Sequence, residues 1–378
     1  LGATFPCQWA AIGPSAGWIS FRSYGGAPDW TGTPLADVHL PSDTLALLEN
    51  YLRHGVYILH GEQDDNVPPT ESREMFDRLS EFHPDVVYHE EPSAGHWWGS
   101  RCVDWPPMFE FFQERRRPAP EDVDALGFVT ANPGLSDRCH WLRIVQQERP
   151  YELSRVETQL DRRAGSLVVT TSNVIRFAVD LSHLSERGEA SAGALSATID
   201  GSDPIAIEPG VDDSVVLNDL HFVRDGETWS LTTEAVPPDE KRPERAGPFK
   251  QAFDNQMVFV YATQGAPEEN AWSKAKAIYD AETWWYRGNG SVDVLPDVRF
   301  VERAEEMAGR NVILYGHRGM NAAWPTVLAE DEGLLVDRGL VRTSAGGQSP
   351  IERNGLAVLA ARPRSDSVEA LVGVVAGT

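Results

Sequence analysis

Residues 57–98 read YILHGEQDDNVPPTESREMFDRLSEFHPDVVYHEEPSAGHWW. Residues 56–59 are a short apolar run of strand type that leads into His60-Gly61. The polar residues Glu62, Gln63, Asp64, Asp65 and Asn66 then require a turn. Pro68-Pro69 and Thr70 predict a helix start, with Pro tolerated and Glu71 favoured in the first turn. Met75, Phe76, Leu79 and Phe82 recur at helical spacing and predict its apolar face. A second strand over residues 86–89 runs into Pro92-Ser93-Ala94-Gly95 and then His96. An acidic residue and a histidine therefore each stand just past the carboxyl end of a strand, with a helix between them. Open α/β sheets place ligands and catalysis at that edge.

The phrase His60-Gly61-x-x-Asp64-Asp65-x-Val67-Pro68, followed by Gly95-His96, resembles the prolyl oligopeptidase family of serine peptidases, within the α/β-hydrolase superfamily. The resemblance covers residues 1–117 and fades beyond them. It implies that Asp64, the first of the acidic pair, is the triad acid and that His96 is the base. A buried carboxylate in that role fixes the tautomer of a histidine that must take and return a proton, and it steadies the imidazolium. The plain alternative is a solvated turn at Asp64-Asp65 and a loop histidine at His96; the joint order and spacing favour the functional reading. The resemblance also implies chain order Ser, Asp, His. The nucleophile is then expected upstream of Leu1, within about ten residues, in a G-x-S-x-G turn.

Gly13-Pro14-Ser15-Ala16-Gly17 matches that pattern literally. The turn it describes needs a helix immediately after it. Residues 18–26, WISFRSYGG, have no helical periodicity and end in a Gly pair. Pro14 also removes a backbone donor just before the serine. Ser15 is therefore read as a loop residue at the end of a strand over residues 10–12, and Trp18, Phe21 and Tyr24 as residues of a loop that could line a cleft. Residues 1–5 read as the end of a helix stopped at Pro6. Trp97 and Trp98 are placed to shield His96 from water.

The chain has 378 residues, 41% of them apolar, and a net charge of −24. Its length suggests two or three domains. Its only lysines are Lys241, Lys250, Lys274 and Lys276. So acidic a surface argues against nucleic acid and anionic membranes as partners. No apolar run approaches a membrane span. Cys7, Cys102 and Cys139 are too few for a disulfide framework and lack metal spacing. Cys7 and Cys102 could pair, but isolated thiols are the better reading. No cofactor or metal is expected, and a secreted or periplasmic location is favoured over a cytoplasmic one.

Elsewhere the pattern changes twice. After a loop over residues 27–42, Ser42 or Asp43 is expected to cap a helix reaching about Arg53, with Leu45, Leu48 and Leu52 on one face. Another helix is expected over residues 105–117. From Pro118, short alternating runs separated by turn signals predict strands over residues 141–146, 153–160, 166–170, 174–179, 197–199, 205–207, 214–217, 221–224 and 228–232, with hairpin-type turns at Asp200-Gly201 and Asp225-Gly226. His140, His183 and His221 are scattered and do not suggest a metal site. Residues 237–250 read as a polar, Pro-rich linker. Beyond it, strands over residues 257–261, 292–295 and 311–315 alternate with helices over residues 270–286 and 301–307, which implies a parallel sheet. Gly288-Asn289-Gly290 does not open a helix, so no dinucleotide site is expected. Residues 315–321 follow a strand and read as a plain loop. The last strand, residues 371–375, stops without a terminal helix, so the C-terminus reads as cut.

The fold expected is α/β: the C-terminal half of an α/β-hydrolase sheet over residues 1–117, a β-sandwich-like module over 118–240, and a small three-layer α/β domain over 245–378. The expected function is a serine hydrolase of prolyl oligopeptidase type that cleaves peptides by acyl transfer, with Asp64 and His96 acting on a serine outside the chain. The alternatives are a carboxylesterase acting on polysaccharide or plant esters, and a non-catalytic binding scaffold. The substrate is accordingly a peptide or an ester.

Overall fold

Runs that alternate, or that are apolar on both faces, dominate the computed structural model. It describes residues 1–24, 37, 39–119, 122–150, 152–180, 195–207, 219–234, 236–237, 240–245, 248–328, 334–343 and 350–377. The strand expected over residues 214–217, most of the loop over 27–42 and His183 lie outside the described residues. The chain divides into two compact units, Leu1–Ala235 and Val236–Thr378.

The first unit opens on a three-stranded parallel sheet, β1 (Ala11–Ile12), β2 (Gly55–Gly61) and β3 (Val86–Glu91), in the order β1-β2-β3. Helix α1 (Thr70–Ser80) crosses from β2 to β3, and α2 (Pro106–Gln113) follows. Central strand β2 is buried along its whole length. Val56 and Ile58 pack with Leu47, Tyr51, Met75 and Leu79, while Tyr57 and Leu59 pack with Met108 and Phe111. This two-sided burial is why residues 56–59 read as a continuous apolar run rather than an alternating one.

Among the described residues ten further strands make two five-stranded sheets. They are β4 (Ala125–Thr130), β5 (Arg138–Cys139), β6 (Leu142–Gln147), β7 (Ser154–Asp161), β8 (Ser166–Ser172), β9 (Val174–Asp180), β10 (Leu195–Ile199), β11 (Ile205–Ile207), β12 (Asp219–Asp225) and β13 (Thr228–Thr232). The orders are β11-β10-β8-β7-β4 and β13-β12-β9-β6-β5. Strand β7 shows the pattern plainly: Val156, Thr158 and Leu160 are buried and Glu157, Gln159 and Asp161 exposed. Phe128, Val156 and Leu167 of one sheet share a core with Ile144, Phe177 and Phe222 of the other.

Buried polar contacts join residues 1–117 to this β part. The side chain of Asn50 donates to the Ala3 carbonyl at 2.7 Å and the Val129 carbonyl at 2.8 Å, and accepts the Val129 N–H at 3.0 Å. Cys7 and Cys139 form a disulfide across a separation of 132 residues, and Cys102 is a buried free thiol. The reading of isolated thiols, with Cys7–Cys102 as the other option, is thereby overturned: β5 brings Cys139 to the Pro6–Gln8 turn, which spacing in the chain cannot reveal.

The second unit is built on β14 (Met257–Tyr261), β15 (Asp293–Pro296), β16 (Asn311–Tyr315), β20 (Ala357–Pro363) and β21 (Leu371–Gly377), in the order β15-β14-β16-β21-β20. Four of these strands run parallel and β20 runs antiparallel to β21. Strands β17 (Leu334–Asp337), β18 (Leu340–Thr343) and β19 (Ile351–Glu352) form a separate antiparallel sheet. Helix α3 (Pro267–Gly288) ends on Asn289, a left-handed cap at φ 50°, while α4 (Asp297–Val301) and α5 (Trp324–Val327) are barely more than a turn each. Of the expected linker over 237–250, the described residues 243–245 are packed rather than open. Arg245 is buried and donates to the carbonyls of Ser367 at 3.0 Å and Arg364 at 3.3 Å, and Gln251 donates to Pro243 at 2.9 Å.

The expected α/β fold class is contradicted, because the chain is mostly β, with several small sheets and few helices. Residues 1–117 hold a sheet of three short strands rather than half of a hydrolase sheet. Three expected helices fail: residues 1–5 form a turn, residues 44–53 form turns and a 3-10 helix, Leu48–Arg53, and the helix expected over 301–307 is a turn followed by a 3-10 turn, Glu305–Met307, because α4 ends at Val301. Leucines at helical spacing also suit a tighter 3-10 turn, whose i, i+3 residues eclipse. Strands β4, β5, β17, β18, β19 and β20 carry no expectation at all. The second unit, with its antiparallel edge and its extra sheet, is not a simple three-layer α/β domain. Among the described residues no helix is long and apolar enough to cross a membrane.

The disulfide makes a measurable claim. Cys7→Ser or Cys139→Ser should lower the unfolding free energy by about 2–4 kcal/mol, as loss of a cross-link usually does. The urea midpoint reads this directly. Thiol titration of the denatured, unreduced protein should find Cys102 alone.

Candidate active site

Parallel register sets the level of the site. Val56 pairs with Val86, and the pairing runs to Gly61 with Glu91, so the chain leaves β2 and β3 at the same height. The two departing loops then zip together. The N–H groups of Glu62 and Gln63 donate to the carbonyls of Glu91 at 3.0 Å and Ala94 at 2.8 Å. The Ser93 N–H donates to the Glu62 carboxylate at 2.8 Å. The approach is so close that a Cβ on Gly61 would overlap the Gly95 carbonyl oxygen and stand 2.6 Å from that of Ala94. Gly61 is thus demanded by backbone proximity rather than by its own torsion angles.

Asp64 follows at once, its side chain fully buried. One oxygen, Oδ1, accepts the N–H groups of Asn66 and Val67, each at 2.9 Å. The other, Oδ2, lies 2.8 Å from Nδ1 of His96. Burial opposes the charge on Asp64 most strongly. The hydrogen bonds from Val67, His96 and Asn66 together outweigh it and hold the carboxyl below its usual range. The His96 side chain is 38% exposed. Its Nδ1 is committed to Asp64, and its Nε2 makes no hydrogen bond among the described residues. Asp65 is exposed, so the two acidic neighbours differ in environment completely.

Ser15 sits on the same sheet, in a parallel bridge with Leu59. Its hydroxyl donates to the Cys102 carbonyl at 3.2 Å, and no hydrogen bond joins it to His96 among the described residues. No helix follows it. Residues 19–24 instead fold back onto α1, where buried Glu71 accepts the Ile19 N–H at 3.0 Å and the Ser23 hydroxyl at 2.6 Å. Tyr24 donates to the Asn66 carbonyl at 3.2 Å, beside the Asp64 turn. Trp18, half exposed, packs on Phe21 and stacks on Tyr24. Glu71 is the residue that sequence reading missed. Its place in the sequence marks it only as a favourable first-turn acid, and nothing there marks it as the anchor of a loop some fifty residues earlier.

The expected shield over His96 is not seen: among the described residues neither Trp97 nor Trp98 makes a ring contact with it. Trp98 packs edge-on to Trp105, but Trp97 is 69% exposed and covers little. Phe82 also leaves the apolar face expected of α1, because the helix ends at Ser80. Residues 315–321 bond to their own surroundings: His317 Nδ1 accepts the Gly319 N–H, and the Asn321 amide donates to the carbonyls of Val260 and Tyr315. Among the described residues the one group of His, Cys, Asp and Glu close enough to share an ion is Cys7, Cys139 and His140. Its two sulfurs are joined to each other, and a metal needs thiolates.

No family model matches the chain. An uncharacterized secreted protein of Arthroderma benhamiae is 28% identical over 212 residues, which is 52% of this chain and 22% of that protein. The chain thus spans about a fifth of the length of the curated relative it matches. The relative is secreted, and a disulfide suits an oxidising compartment.

Two outcomes are expected of the site itself. Asp64 has a depressed carboxyl pKa in the fold, so it contributes stability that is present above its unfolded pKa of about 3.9 and lost as pH falls through the folded value. The Tm difference between the protein and Asp64→Asn should therefore be large at neutral pH and shrink towards zero on acidification below about pH 4; a constant difference would contradict the buried, bonded carboxylate. Gly61→Ala should destabilise by about 1–3 kcal/mol, as overpacking against fixed backbone does, measured from the urea midpoint.

Proposed function

We propose that Asp64 and His96 are the acid and base of a serine hydrolase of prolyl oligopeptidase type, acting on a peptide or ester carbonyl. The observation that carries this reading is the 2.8 Å contact between a fully buried carboxylate and a partly exposed imidazole. Donation from Nδ1 to Asp64 leaves the Nε2 lone pair on the accessible side of the ring. There it takes the proton of an attacking hydroxyl and afterwards returns it to the leaving group. The charge that forms on the ring is met by Asp64, which stays ionised because Asn66 and Val67 already solvate it. On this reading Ser15 is not the source of that hydroxyl, since it is engaged by the Cys102 carbonyl. The exposed aromatic loop at Trp18, Phe21 and Tyr24, tied to Asn66, supplies an apolar wall beside the pair for the group next to the scissile bond. A secreted or periplasmic location fits the secreted relative and the disulfide.

The test is turnover of p-nitrophenyl esters and peptide p-nitroanilides by the whole protein in which this sequence occurs. Asp64→Asn should lower kcat by a factor on the order of 10⁴, as loss of a triad acid does, with Asp65→Asn close to the parent. Equal losses from both would break the assignment. The 378-residue chain alone should be inactive, and turnover abolished by Ser15→Ala would move the nucleophile to Ser15.

A further inference from the structure

Asp64 has a second imidazole beside it. His60, the next-to-last residue of β2, is buried, and both its side chain and that of Asp64 are without exposure to solvent. Its Nε2 lies 2.9 Å from the Val67 carbonyl oxygen and 3.2 Å from Asp64 Oδ2. Its Nδ1 lies 2.6 Å from the Ser72 hydroxyl on α1. These contacts define the ring. The Val67 carbonyl only accepts, so Nε2 carries a hydrogen, and Nδ1 is left to face the Ser72 hydroxyl. The Nε2–H is held between Val67 O and Asp64 Oδ2. Asp64 therefore has two backbone N–H groups on one oxygen and two imidazoles at the other. The charged groups around His60 are Asp64 and His96 on the two loops and Glu90, its register partner on β3, which Arg73 of α1 binds bidentately.

We infer that His60 is a positioning residue, set by Ser72, that braces the Asp64–Val67 turn from inside and holds the Asp64 carboxylate towards His96. The inference rests on the hydrolase reading for its catalytic meaning, but not for its geometry. Rigid strand β2 supplies the brace, and α1 sets its tautomer, so the acid on a loop inherits the precision of two regular elements. Without the brace the turn keeps its own two amide bonds, but Oδ2 is free to swing away from His96 Nδ1.

The experiment uses the whole protein and three variants: His60→Leu, which removes the donor; His60→Gln, whose amide nitrogen can take the place of Nε2; and Ser72→Ala, which removes only the hydroxyl. Ring nitrogen NMR of His96 should show a single Nδ1–H tautomer in the parent and a mixture in His60→Leu. The Asp64 carboxyl should titrate higher there, since a lost donor disfavours its charged form. With p-nitrophenyl butyrate, kcat should fall by about 10–100-fold at little change in KM, the scale of outer-shell partners elsewhere, and His60→Gln should recover most of it. If His60→Leu does not fold, Ser72→Ala should show the same tautomer mixing to a smaller extent. An unchanged His96 tautomer and Asp64 titration in every folded variant lacking the donor or the hydroxyl overturns the inference. Absence of any turnover by the parent overturns the hydrolase reading instead, while the ring signals still decide the role of His60.

Discussion

The close approach of two backbones at Gly61 is the constraint on which the site depends. Parallel strands β2 and β3 end at one level, and the chain must leave both without stranding buried peptide groups. The loops solve this by bonding to each other, Glu62 to Glu91 and Gln63 to Ala94. Only a residue without a Cβ allows that contact. Once the loops are zipped, Asp64 is carried inward and His96 is carried over it. The Asp64 carboxylate and the His96 imidazole thus meet as a consequence of how the two strands terminate, before any attraction between them is counted.

Burying a carboxylate is costly unless its lone pairs are met. At Asp64 the surroundings meet them fully, and the balance comes out in favour of the charged form despite burial. Exposure differs sharply across the pair: the Asp64 side chain is sealed, while that of His96, whose Nδ1 is committed to it, is partly exposed. Glu71 shows the same economy a few residues on: a buried carboxylate met by Ile19 and Ser23 converts α1 into the mount for an exposed aromatic loop.

The legible part of this arrangement is the part written locally. Gly61, the two acidic residues, the Pro-started helix and Gly95-His96 stand within some forty residues, and turn chemistry and strand runs order them without tertiary knowledge. Many strand positions in the β part, from β6 to β13, were legible for the same reason, since alternation is a local signal. The fold class was not. A helix and a 3-10 turn share apolar spacing over three or four residues, so residues 44–53 were misread. Strands β17–β20 lie in segments with little alternation. The Cys7–Cys139 bond and the Asn50 bridge join residues 132 and 79 apart respectively, and pairings that long are set by packing rather than by pattern. His60 enters the sequence reading as the end of a strand and the first letter of the His60-Gly61 phrase, but its contacts depend on Ser72 one turn into a helix and on Val67 across a turn.

Ser15 shows why a motif must be judged on backbone conformation. A nucleophile turn places its serine at the strained apex between strand and helix. At this turn the left-handed residue is Ala16, at φ 49°, one position beyond the serine. Ser15 itself still lies in register with β2, bridged to Leu59, with the Ala16 N–H donating to the Leu59 carbonyl at 2.8 Å. The sharp turn therefore falls after the serine, and the chain beyond it is captured by Glu71 rather than wound into a helix. A helix there would have aimed its free N–H groups at the reacting atoms, the usual source of anion stabilisation. Here the Ile19 N–H is spent on a carboxylate. The same five letters that spell a nucleophile turn therefore lead into a loop tied to α1, and the difference lies in which residue takes the positive φ and where the next amides point.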